Sequence, residues 1–163
     1  MKYKFDRFDM LKLGLFFETE SELDMFLEVI TEEFETNIGK AIAAYVDDDT
    51  LALINADESG DEAEKWALEN PEECSRIISS CKEKLCKEIA QYRDEIPGAA
   101  KVDMEEFRNL DAFEFDLNLR TYNVLKRTGI KNVGMILDYD DLRDIPMLGK
   151  RCAEQLVNVL LGF

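Results

Sequence analysis

Residues 119–130, LRTYNVLKRTGI, and residues 145–151, IPMLGKR, decide how the last third of this protein is read. Asn118 stands ahead of the first stretch as an N-cap and Gly129 is placed to stop it, so a helix through Arg127 is predicted, with Leu119, Tyr122 and Leu125 (or Val124) inward. Ile130, Val133, Ile136 and Leu137 make a short second element, and Asp138 or Asp140 can start another holding Leu142 and Ile145. The second stretch turns at Pro146–Gly149 into a last helix, Lys150 to Leu161, whose expected inward stripe is Cys152, Leu156, Val159 and Leu160. Its form is that of a helix-hairpin-helix turn. Gly149 lets backbone approach a phosphate, the next helix offers unpaired amides, and Lys150 and Arg151 add charge there.

The charge distribution changes near the start of this region. Residues 1–109 hold 13 Lys+Arg and 28 Asp+Glu, or −15, whereas residues 110–163 hold 7 and 8, or −1, of a total of −16. So acidic a protein repels nucleic acid and anionic membrane at long range, and any DNA contact must come from a local basic face in the near-neutral last third. Its 163 residues, 46% hydrophobic and 34% charged, suffice to bury a core in one domain or two small ones. Histidine is absent, which removes serine and cysteine triads, imidazole bases and most zinc sites, so an enzyme is not expected. No apolar run reaches the roughly 20 residues of a membrane span, the N-terminus lacks an apolar signal core, and four unevenly spaced cysteines fit a reducing compartment. The expected location is cytoplasmic.

Residues 1–98 read as a small α or α+β domain. Leu11–Phe17 is a strand or an apolar lead-in. Thr19 or Ser21 can cap a helix over about 20–37, with Leu23, Phe26, Leu27, Ile30, Phe34 and Ile38 on one face and Glu28, Glu32, Glu33 and Glu35 outward. The runs AIAAYV and TLALIN, separated by Asp47–Asp49, predict a hairpin within 40–55, the alternative being helix through Ala44. The aspartates lack the ligand order of a calcium loop and read as a solvated turn. Asp61–Glu69 is helix-compatible. Asn70-Pro71 opens a helix from 71 to about 95, whose Cys74, Cys81 and Cys86 do not converge as metal ligands. The resulting fold class is mainly α, with 99–109 as a linker and 110–163 as a compact helical domain. No pattern asks for a cofactor or a metal.

The combination of Leu119-Arg120, Asn123, Leu125-Lys126, Gly129-Ile130, Val133-Gly134, Leu142 and Ile145–Lys150 resembles the C-terminal domain of the bacterial RNA polymerase α subunit. The resemblance implies a compact helical fold that binds the minor groove of A·T-rich double-stranded DNA and docks transcription partners. It places the groove arginine at Arg120, the neighbouring asparagine at Asn123 and the helix lysine at Lys126. Gly149 takes the position of the glycine whose backbone faces phosphate, and Arg151 that of a phosphate-contacting basic residue. Cys152 stands where a serine is usual, Gln155 where an acid is usual, and the connection between the two elements is slightly shorter.

Two functions follow as expectations. One is a non-enzymatic, transcription-associated protein whose last domain contacts DNA or polymerase partners, while the acidic face of Glu28, Glu32, Glu33 and Glu35 docks a basic protein surface. The other is an acidic regulator or inhibitor, of phage or mobile-element type, that imitates DNA and uses the last helices for protein contacts.

Overall fold

A computed structural model describes residues 4–163. In chain order its elements are α1 (Arg7–Leu13), β1 (Phe16–Phe17), α2 (Glu20–Tyr45), α3 (Asp48–Ala56), α4 (Asp61–Glu69), α5 (Pro71–Tyr92), β2 (Ala99–Ala100), α6 (Met104–Asn109), α7 (Leu119–Thr128), α8 (Val133–Leu137) and α9 (Lys150–Leu161). Short 3₁₀ turns lie at Arg93–Glu95, Ala112–Glu114 and Leu142–Asp144. The mainly α class read from the sequence holds.

Contacts group the described residues into two units, one of Lys4 and Glu28–Gln91, the other of Phe5–Leu27 and Tyr92–Phe163. This division differs from the one expected at residue 98. Residues 99–109, expected as a linker, contain β2, which pairs antiparallel with β1 through Phe16 and Ala100, and α6, which buries Phe107 and packs on α8. Phe107 also meets Phe16 edge-on at 5.0 Å between ring centres. The apolar lead-in is therefore committed to the second unit rather than to an N-terminal domain.

The first unit is built from the later part of α2, then α3, α4 and α5. Ile30, Phe34 and Ile38 of α2 and Cys74, Ile77, Leu85 and Ile89 of α5 are buried, each set falling on a helical repeat of three- and four-residue steps. The Cys81 thiol donates to the Asn37 carbonyl at 3.6 Å, tying the two helices, and burial pushes that thiol's pKa up. Neither α3 nor α4 buries a residue fully, although Tyr45 and Trp66 meet edge-on.

The hairpin expected in 40–55 is absent: α2 runs on through Tyr45, as the alternative reading had it, and α3 follows. Asp47 is an N-cap and not a hairpin turn, its carboxylate accepting the Thr50 amide at 2.8 Å. Aspartate suits both places because its short carboxylate satisfies local amides in either, while Ala41, Ala43 and Ala44 favour the helix. Helix α2 starts with a capping box in which Thr19 and Glu22 exchange bonds. The helix predicted over 71–95 ends at Tyr92 and tightens into a 3₁₀ turn.

In the second unit, α9 is the central element. It buries Cys152, Ala153, Leu156, Val157, Leu160 and Leu161, whereas the expected Val159 is only half-buried. Both α7 and α1 pack on it. Helix α1 opens with an Asp6–Asp9 capping box and buries Phe8, Met10 and Leu11. Arg7 donates to Asn158 at 3.0 Å and to Asp24 at 2.8 and 2.9 Å, and Lys12 donates to the Tyr139 carbonyl at 2.9 Å. Burial works against the charged Arg7, but its bonds to Glu20 and Asp24 outweigh that and raise its pKa.

Gly134 in α8 serves a close approach. A Cβ added there would lie 3.1 Å from the Arg108 carbonyl oxygen and 3.3 Å from the Arg108 Cβ, so only glycine lets α6 and α8 come this near without adjustment.

Candidate nucleic-acid interface

Helix α7 forms where caps and periodicity place it. The Asn118 side chain accepts the Thr121 amide at 2.8 Å, and Gly129, at φ 76°, closes the other end. Thr121, Val124 and Leu125 are buried. Leu119 and Tyr122, expected inward, are instead 76% and 37% exposed. Choosing Val124 with Thr121 as the inner face turns the helix so that Arg120, Asn123, Lys126 and Arg127 are all exposed.

A brace from α9 fixes this helix start. Gln155 donates to the Asp116 carbonyl at 3.1 Å and accepts from Asn118 at 3.2 Å. The residue that departs from the resemblance thus supports the cap of α7. Arg120 reaches back toward α9, where a Cβ added to Gly149 would sit 3.9 Å from Arg120 Nη2.

An open groove runs along this junction, lined by Leu119, Arg120, Asn123, Val124, Arg127 and Met147. At 100° per residue, Arg120, Asn123 and Arg127 share about 60° of arc. Lys126 projects further round the helix, over the Tyr122 ring at 6.0 Å from its centre. Arg127 is not among the contacts that the resemblance places, yet its position seven residues after Arg120 is the signal that puts both on one face. Among the described residues, neither Arg120 nor Arg127 has an ion-pair partner, nor does Arg151.

At the start of α9, the Gly149 carbonyl accepts from the Cys152 and Ala153 amides at 2.9 and 3.0 Å. Gly149 brings no capping side chain, and the first amides of a helix have no partner inside it, so this end presents donors and positive potential. Lys150 leans toward Glu154 at 3.8 Å, while Arg151 is exposed. Cys152, where the resemblance has a serine, is buried at 5% exposure and packs inward with Leu156. Nearby Arg143 is held by Asp141, with Nε bonds of 2.9 and 2.8 Å. That hydrogen bonding keeps the Asp141 carboxyl below the usual range. The structure brings Arg120, Asn123 and Arg127 to one groove, sets Gly149 beside Arg120, leaves Lys150 and Arg151 exposed on the first turn of α9, and turns Lys126 to the groove's edge.

Residues 98–161 match the family of the C-terminal domain of the bacterial RNA polymerase alpha chain. No curated protein and no solved structure gives a match. The family match begins at residue 98 and so takes in β2 and α6, upstream of the residues that carry the resemblance. Its span takes in every residue that lines the groove and supports a transcription-associated module of DNA-binding type in this segment.

The acidic residues expected to face a basic partner all lie exposed on α2. Glu28, Glu32 and Glu35 share one stripe, but Glu33 is about 140° round from Glu28 and accepts from Asn37 at 3.3 Å. No helix among the described residues is long and apolar enough to cross a membrane.

Proposed function

We propose that this protein is a non-enzymatic, transcription-associated binding protein of the cytoplasm whose alpha C-terminal-domain module seats A·T-rich DNA by its minor groove. Arg120 enters the groove, Asn123 and Arg127 line its path, and the α9 amides with Lys150 and Arg151 hold the phosphates. The observation that carries this reading is the pair of guanidiniums without ion-pair partners, Arg120 and Arg127, that share one open groove with Asn123 inside the matched segment, with Gly149 beside Arg120. A narrow A·T minor groove has enhanced negative potential and favours an inserted arginine, while helix-terminal amides suit phosphate oxygens.

The first unit carries the opposite charge. Residues 28–91 hold 6 Lys+Arg against 17 Asp+Glu, which favours a basic protein partner over nucleic acid on that surface. The stripe of Glu28, Glu32 and Glu35 is its centre, with Glu33 at the margin. An interface of this kind associates fast and loses on-rate as salt is added.

The test is fluorescence anisotropy of the full-length protein with A·T-rich and G·C-rich duplexes at low salt. Wild type is expected to prefer the A·T-rich duplex, and Arg120→Ala to lose that preference with the fold intact. Equal binding by both proteins would remove the minor-groove assignment.

A further inference from the structure

Resting on the minor-groove reading above, we propose that Leu119 and Met147 form an apolar seat for the deoxyribose edges that wall the groove, so that the DNA site is hydrophobic as well as cationic. Both residues line the groove that holds Arg120, Asn123 and Arg127. Leu119 is 76% exposed and Met147 59%, although apolar side chains of this size gain from burial.

Met147 adds a second observation. Its φ of 67° is the one positive value among the described non-glycine residues. Methionine adopts this left-handed conformation rarely and at a cost, and glycine or asparagine would meet the same turn more cheaply. The turn itself therefore gives no reason for methionine. Its side chain finds little cover inside the unit, which leaves its use outside it. Strained, non-glycine backbone of this kind concentrates at ligand-binding sites.

The occupant follows from the neighbours. A purely apolar partner would leave the Arg120 and Arg127 guanidiniums desolvated and unpaired, which is costly. A duplex offers phosphate and base acceptors to the cations and C–H edges of its sugars to Leu119 and Met147. Apolar side chains, methionine and leucine among them, recur at minor-groove interfaces.

Salt dependence separates the two kinds of contact. Each phosphate neutralised contributes about −0.9 to the slope of log K against log salt, because counterions are released. An apolar contact to sugar releases none and leaves the slope alone.

The experiment measures binding of the full-length protein to an A·T-rich duplex between about 50 and 200 mM salt. The proteins compared are wild type, Met147→Gly, Leu119→Ala, Arg127→Ala and Arg120→Ala. Glycine accepts the φ of position 147 and Leu119 is exposed, so both apolar variants keep the fold, which a thermal melt verifies. Met147→Gly and Leu119→Ala are each expected to weaken binding about three- to tenfold at every salt concentration with the wild-type slope. Arg127→Ala is expected to flatten the slope by about 0.9. A loss in either apolar variant at unchanged slope supports the seat. Unchanged affinity in both, or losses that come with a flatter slope, overturns it even where Arg120→Ala abolishes binding. Absence of wild-type binding overturns the minor-groove reading and the seat with it.

Discussion

Thr121 is the only buried polar residue of the described core, with 0% exposure, and its hydroxyl has no hydrogen-bond partner. An unpaired hydroxyl in a dry site costs roughly 1–3 kcal/mol relative to water. Thr121→Val keeps the β-branched shape and replaces the hydroxyl by a methyl, and valine and threonine differ little in helix propensity. The Asn118 cap bonds the Thr121 amide, not its side chain, so the helix start is untouched. The variant is therefore expected to be more stable by about 1 kcal/mol, a rise of about 2–4 °C in Tm for a protein of this size. Thr121→Ala, which leaves a void in the same site, is expected to be less stable than valine by about 1 kcal/mol or more. Urea and thermal unfolding followed by circular dichroism measure both. Since the outer face of α7 is unchanged, DNA binding should stay at the wild-type level. A Thr121→Val protein less stable than wild type by about 1 kcal/mol would refute the reasoning, because the hydroxyl would then have a partner worth keeping.

Other outcomes follow from the same geometry. Lys126→Ala should change the salt slope of DNA binding less than Arg127→Ala, because only Arg127 faces the groove; a larger effect from Lys126 would reverse their roles. Gly134→Ala should destabilise the second unit by about 1–3 kcal/mol, since its Cβ meets the Arg108 carbonyl at 3.1 Å, and the melting curve reads this directly. The Asp141 pKa is lowered by its bonds with Arg143, so its contribution to stability is complete above the ordinary carboxylate pKa of about 4 and fades as pH falls through the lower folded value. The stability gap between wild type and Asp141→Asn should accordingly close below about pH 4. A gap independent of pH would mean that the ion pair adds nothing.

Local chemistry made α7 and α9 legible. Asn118, Gly129 and Gly149 are boundary residues whose roles depend on their immediate neighbours, and Arg120 comes to lie beside Gly149 because those boundaries are correct. The facing of α7 was harder to read: Leu119 and Tyr122 are apolar enough to be inward, and only the packing on α9 selects Val124 and Thr121. Asp47 misled because aspartate serves hairpin turns and helix starts alike. The commitment of Phe5–Leu27 to the last unit was not legible, since the pairing of Phe16 with Ala100 and the bond from Arg7 to Asn158 lie far apart in sequence. Gln155 shows a subtler gap, as its brace to Asn118 crosses 37 residues.

The clasp of α1 on α9 bears on how the protein is made. Lys12 waits 127 residues for its acceptor at Tyr139, and Arg7 waits 151 for Asn158. During synthesis α1 leaves the ribosome with Phe8, Met10 and Leu11 uncovered while the acidic residues 28–91 emerge behind it. At about 5–20 residues per second, that interval lasts several seconds to half a minute. Contacts this distant in sequence are slow to form, and a segment as short as α1 does not hold a helix alone, so Phe8, Met10 and Leu11 gain their final cover, and α1 its helix, only once α9 has been made.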